Sequence, residues 1–115
     1  MKGTRVSTDK HLFRRGYGPP TKNYLNPDGS ATSRAYKLRE KDMGLLSVDV
    51  KELTTPELAV KDIKKFVLFE IPVSSVEKFD LISIHDPLPE NIAHAYIEGL
   101  EEEDEIKPGL LAKAS

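Results

Sequence analysis

Gly44-Leu45-Leu46-Ser47-Val48-Asp49-Val50 is the stretch that decides how this chain reads. Apolar and polar residues alternate with a period of two. Leu46, Val48 and Val50 therefore share one face of a strand, and Leu45, Ser47 and Asp49 share the other. A strand with one apolar face needs neighbouring strands and a cover. A helix start follows at once: Thr54-Thr55-Pro56-Glu57 puts threonine at the N-cap, proline at the first helical position and an acid in the first turn. The helix is expected to run from Leu58 to about Lys65, with Lys61, Lys64 and Lys65 at its negative end.

Upstream, Ala35, Tyr36 and Leu38 fit either a strand or one turn of helix, and Lys37 to Asp42 is a charged surface segment. Asn26-Pro27-Asp28-Gly29 is a tight turn. His11-Leu12-Phe13-Arg14 reads as a short strand with Leu12 and Phe13 on opposite faces. Gly16, Gly18, Pro19 and Pro20 break it, so residues 15–29 are expected to form a long loop. Residues 1–10 are polar and are expected to fray as a flexible tail unless a partner strand holds them.

Downstream, Phe66 to Ile71 reads as a strand stopped by Pro72, and Ser75 to Phe79 as a single helical turn. Leu81 to His85 alternates as a strand and is broken at Asp86-Pro87-Leu88-Pro89. In Asn91 to Leu100, Ala93, Ala95 and Ile97 alternate with His94, Tyr96 and Glu98, which favours a strand. Glu101 to Glu105 is an expected solvated loop, Pro108-Gly109 an expected turn, and Leu110 to Ser115 a tail. The sum is one α+β domain over residues 1–115. It has a mostly antiparallel sheet of four to five short strands and one main helix.

Composition bounds the function. The chain has 115 residues, no cysteine and a net charge of -2. Without cysteine there is no disulfide framework, thiolate zinc site or cysteine nucleophile, and a reducing compartment suits it. No apolar run approaches the ~20 residues of a membrane helix, and the first residues lack the apolar core of a secretory signal. The expectation is a soluble cytoplasmic protein with no membrane partner. Residues 1–55 carry eleven Lys and Arg against six Asp and Glu, a balance of +5; residues 56–115 carry six against thirteen, a balance of -7. Such a split steers a charged partner or holds the two halves together. Few aromatics, no tryptophan and no basic-aromatic run argue against nucleic acid. Phosphate-loop, dinucleotide, zinc-helix and calcium-loop motifs are absent.

The residues left to carry chemistry are three histidines (His11, His85, His94) and a scattered polar set. An imidazole can act as base or metal ligand, but nothing in the spacing of these three demands a metal. His11 with Arg14, then Ser47 with Asp49, then a later acid resembles ADP-ribosyltransferase-type folds, including short toxin relatives that degrade NAD. The resemblance implies an Arg or His against the diphosphate or ribose, a serine on the nicotinamide side, and a carboxylate that stabilises an oxocarbenium-like transition state. Arg14 would take the first role, Ser47 the second and Glu57 or Glu70 the third, with His11 beside Arg14 on the first strand. Arg14 and Tyr17 would be the contacts to NAD or another nucleotide. No Glu-x-Glu pair stands where that family would place one.

A second likeness covers more of the chain, from His11 to about Ala114. Ser33-Arg-Ala-Tyr-Lys37, Leu46-Ser-Val-Asp49 followed by Thr55-Pro-Glu57, and Asn91 to His94 with Ala95 resemble a family of small bacterial and prophage-borne proteins. Ile92 stands where that family's pattern has proline. The likeness implies a bacterial or prophage origin and no particular chemistry, and no cofactor is assigned.

The leading functional expectation is therefore a binding or interaction module with an accessory or immunity-type role. It would meet a protein partner through the loop Arg15 to Gly29 or the acidic run Glu101 to Glu105. The alternative is a small NAD- or nucleotide-directed enzyme or toxin with His11, Arg14, Ser47 and Glu70 in its site. Below that stands a nuclease with His11 or His94 as base and Arg14 on the phosphate.

Overall fold

Five strands form one antiparallel sheet: β1 (His11–Tyr17), β2 (Leu45–Val50), β3 (Phe66–Pro72), β4 (Ile82–His85) and β5 (His94–Glu98), in the order β3-β1-β2-β5-β4. The computed structural model describes residues 3–17, 24–38, 44–62, 64–101, 103–104 and 106–115, and of Tyr17 the backbone alone. Among the described residues three short helices, α1 (Pro56–Val60), α2 (Val73–Lys78) and α3 (Ile106–Ala114), and two 3-10 turns at Ser33–Tyr36 and Lys51–Leu53 accompany the sheet, and the fold is α+β. Among the described residues no helix is long and apolar enough to cross a membrane.

The alternation read from the sequence sets the two faces of the sheet. Leu46, Val48 and Val50 of β2 are buried, and the register sets Leu46 beside Ile97, Val48 beside Ala95, Val50 beside Leu12, and Leu12 beside Ile71. This face meets Ala35 and Tyr36 of the first 3-10 turn, Val73 and Val76 of α2, and Leu111 and Ala112 of α3 in one cluster. The opposite face carries Phe13, Asp49 and Tyr96, which are buried, and Ser47, which is exposed.

β1 extends to Tyr17, past the break expected at Gly16. Gly16 keeps its place in the ladder opposite Val67 because the strand needs no side chain there: a Cβ would stand 2.7 Å from the ring of Tyr24 and 3.2 Å from that of Phe69. The 26–29 turn forms as expected, with the Gly29 N–H donating to the Asn26 carbonyl at 2.9 Å and Gly29 at φ 89°. The N-terminal segment finds the partner strand it needs. Val6 N–H donates to the Ser83 carbonyl (2.8 Å), His85 N–H donates to the Thr4 carbonyl (2.7 Å), and Val6 is buried.

Two helices differ from expectation. α1 begins where the sequence puts it, with the Thr55 hydroxyl accepting from the Leu58 N–H at 3.3 Å, but it ends at Val60, well short of Lys65. Asp62 takes over the chain there. Its carbonyl accepts from the Lys65 and Phe66 N–H groups and its carboxylate from the Lys64 N–H, so a turn replaces the helix and feeds β3. The longest helix is instead α3, where a turn and a tail were expected. Asp104, from the acidic run, accepts from the N–H groups of Ile106 (2.8 Å) and Lys107 (3.2 Å). Pro108 then falls in the first turn, where its missing N–H has no intrahelical partner to lose.

Two buried side-chain oxygens among the described residues lack a partner, Tyr36 Oη and Ser83 Oγ, and the first is the one that titrates. The Tyr36 hydroxyl is buried with no partner in hydrogen-bonding geometry. Burial pushes its pKa up to about 12, against smaller opposing effects of Ser115 and Arg14. The neutral phenol is thus the form the fold tolerates. Its contribution is complete below the unfolded value of 10.0 and is lost as pH rises toward 12. Tyr36→Phe is expected to raise stability at pH 7 by about 1 kcal/mol, since it removes an unsatisfied buried group. It should also flatten the fall in melting midpoint above pH 10. An unchanged alkaline profile in the variant would refute this account.

Candidate functional site

β1 and β2 are paired only at Leu12–Val50 and Phe13–Asp49. Beyond that point the two strands part, while β1 stays paired with β3 and β2 with β5. The opening leaves backbone acceptors without a ladder partner, and Arg14 fills it. Its Nε–H donates to the Ala35 carbonyl at 2.7 Å and its Nη1–H to the Ser47 carbonyl at 2.8 Å, with the residue only 8% exposed. Arg14 thus stands in for missing ladder bonds and ties the first 3-10 turn to the sheet.

Above this plug lies a cleft of about 250 Å³, with Arg14, Ser47 and Asp49 on its sheet side. Its walls come from two connections. One is the end of α1, which brings Lys61 to the cleft; the other is the loop between β4 and β5, which brings Leu88, Glu90 and Asn91. Arg15 lies between them. Its Nη1–H donates to the Ala59 carbonyl at 3.1 Å, and its guanidinium stands 5.2 Å from the centre of the Phe66 ring.

Three features set the chemistry. First, Lys61 has φ 66° and ψ -56°, and the Asp62 N–H donates to the Val60 carbonyl across it at 2.7 Å. That is a γ-turn of the strained hand, rare for any residue with a Cβ. Second, Asp49 is only 8% exposed, and one of its carboxylate oxygens accepts from the Asn91 amide at 2.9 Å. Third, the His94 ring has Nδ1 at 3.0 Å from the Asp86 carbonyl and 3.5 Å from the Asp86 carboxylate. A carbonyl can only accept, so Nδ1 carries a proton, and in the neutral imidazole Nε2 is then an acceptor. His85 does the converse at the other end of the same loop: its Nε2 lies 2.7 Å from the Ile92 carbonyl. The two rings hold the loop that carries Asn91.

The candidate residues divide. Arg14 and Ser47 meet at the cleft, with Asp49 as its buried carboxylate. His11 is not among the cleft residues; its backbone N–H donates to Glu52 at 3.2 Å and its ring Nδ1 lies 3.5 Å from the same carboxylate. Burial pushes the Glu52 carboxyl up, but the bonds from His11 outweigh it and hold the group below the usual range. Glu70 is exposed and paired with Lys51 at 3.0 Å. Glu57 is an exposed acid in the first turn of α1. The side chain of Tyr17 lies outside the described residues, as do residues 18–23 of the expected contact loop and residues 102 and 105 of the acidic run.

Lys61, Asn91 and the Asp86 clamp on His94 were not singled out from sequence. The Lys61 turn depends on where α1 stops, and the Asp49–Asn91 bond joins residues 42 positions apart. Among the described residues no three His, Asp or Glu side chains cluster as a metal site would need. A second hollow of about 320 Å³ lies beside the N-terminal segment; of the charged residues that line it, Arg5 is paired with Glu77 and Glu52 with His11. The chain matches no protein-family model, no curated protein and no solved structure, so the chemistry of the cleft rests on its own geometry.

Proposed function

We propose that this chain is a binding module whose site is the cleft at the opening between β1 and β2, and that its ligand is a small phosphate-bearing molecule of the nucleotide class. The observation that carries this reading is Lys61. A lysine in a strained γ-turn is retained at a cost of roughly 1–3 kcal/mol, and such strain concentrates where a side chain has to be placed for a ligand. Arg15 adds a second cation at the same cleft, with guanidinium donors beyond the one given to Ala59. Size limits the ligand. At about 250 Å³ the cleft falls below the ~300–1,000 Å³ of sites for drug-sized molecules, so it suits a mononucleotide or one half of NAD, and not the whole dinucleotide.

Ligand-induced thermal shift with inorganic phosphate, AMP and NAD tests this reading. At about 100 times its dissociation constant a ligand adds ~2.7 kcal/mol, which moves the midpoint of a domain this size by several degrees. Lys61→Gly separates placement from stability. Glycine adopts positive φ without strain, so the unliganded midpoint should rise while most of the ligand shift is lost. A variant that keeps the full shift would remove Lys61 from the site. No shift with any of the three ligands would sink the reading. The alternative is a surface for a protein partner, which draws on Leu58 and Ile92, 70% and 63% exposed and each within three residues of a cleft residue.

A further inference from the structure

Asp49 and His94 are Cα partners across β2 and β5, so their side chains stand next to each other at the cleft. Each is held by another residue. The Asn91 amide fixes one oxygen of Asp49, and the Asp86 carbonyl fixes the His94 tautomer. Each has an acceptor to spare. The second Asp49 oxygen and His94 Nε2 have no hydrogen-bond partner among the described residues, yet neither atom is among the buried unsatisfied ones, which are Tyr36 Oη and Ser83 Oγ. Both therefore remain reachable by a ligand. A carboxylate this buried with one hydrogen bond is under-satisfied, and a donor from outside would complete it.

Two adjacent, fixed acceptors call for two adjacent donors. The phosphate dianion has no such pair, and among the bases guanine has one, N1–H beside N2–H2, but that planar edge is matched by the two oxygens of a single carboxylate, and one oxygen of Asp49 is already held by Asn91. A sugar has one in its vicinal hydroxyls. Building on the phosphate site proposed above, we infer that Asp49 and His94 bind the vicinal diol of a sugar phosphate, with Lys61 and Arg15 on its phosphate, and that the site selects ribose over 2-deoxyribose.

The test is calorimetric titration of the full chain with ribose 5-phosphate, 2-deoxyribose 5-phosphate and inorganic phosphate, on wild type and Asp49→Asn. Wild type is expected to bind ribose 5-phosphate about tenfold more tightly than the deoxy sugar, the ratio that one hydrogen bond to a charged acceptor supplies. Asp49→Asn keeps an oxygen for the Asn91 amide but loses the anion, so the ratio should fall toward one while phosphate still binds. Equal affinity for the two sugars in wild type would overturn the diol inference and leave the phosphate site standing. No binding of any of the three would overturn both. If Asp49→Asn does not fold, the wild-type ratio decides alone. A ratio that persists in a folded Asp49→Asn would remove Asp49 from the diol site.

Discussion

Arg14→Ala is expected to lower stability by about 2–5 kcal/mol, since each buried carbonyl left without its donor costs ~1–3 kcal/mol and a cavity adds to that. Two effects add. The carbonyls of Ala35 and Ser47 lose charge-assisted donors, and a space opens between β1 and β2 where the guanidinium was. Domains of this class have only ~5–15 kcal/mol in hand, so the variant would be marginal at 37 °C. Arg14→Lys should recover part of the loss, because an ammonium has no planar fork to reach two carbonyls at once. Urea unfolding of the three proteins measures this. A loss below about 1 kcal/mol for Arg14→Ala would show that the opening closes or hydrates without its plug. The consequence for function is direct: a ligand that fails to bind Arg14→Ala says nothing about contact with Arg14, whereas Lys61→Gly and Asp49→Asn leave the Arg14 bonds to Ala35 and Ser47 in place.

Leu111→Ala should cost about 2–5 kcal/mol, the usual range for a fully buried leucine. Leu111 has no exposed surface and belongs to the main apolar cluster together with Tyr36 and Val76. The neighbouring Leu110 is 38% exposed, so Leu110→Ala should cost well under 1 kcal/mol and serves as the control on the same helix. Equal effects of the two, read from thermal or urea midpoints, would mean that α3 does not dock through Leu111.

How far the fold could be read depended on the range of the interactions that set it. The β2 alternation, the Asn26–Gly29 turn and the Thr55-Pro56 helix start are all written within seven residues, and each is where the sequence puts it. α3 was hidden for the opposite reason. Its proline and glycine look like breakers, and only the Asp104 cap and the docking of Leu111 make a helix the better choice. For Arg14 a signal was present. The period of two that buries Leu12 puts Arg14 on the same face, which points toward the core and away from a role as an open anion contact.

By itself the sequence determined the class, the strands and their faces, because the two-residue period and local turn chemistry act over a few bonds. The tertiary structure alone decided the site. The opening between β1 and β2, the arrest of α1 at Val60 that strains Lys61, and the bonds from Asn91 to Asp49 and from His94 to Asp86 join elements distant in sequence. Their free energies depend on burial and on which groups are left unpaired, and neither exists until the sheet has closed.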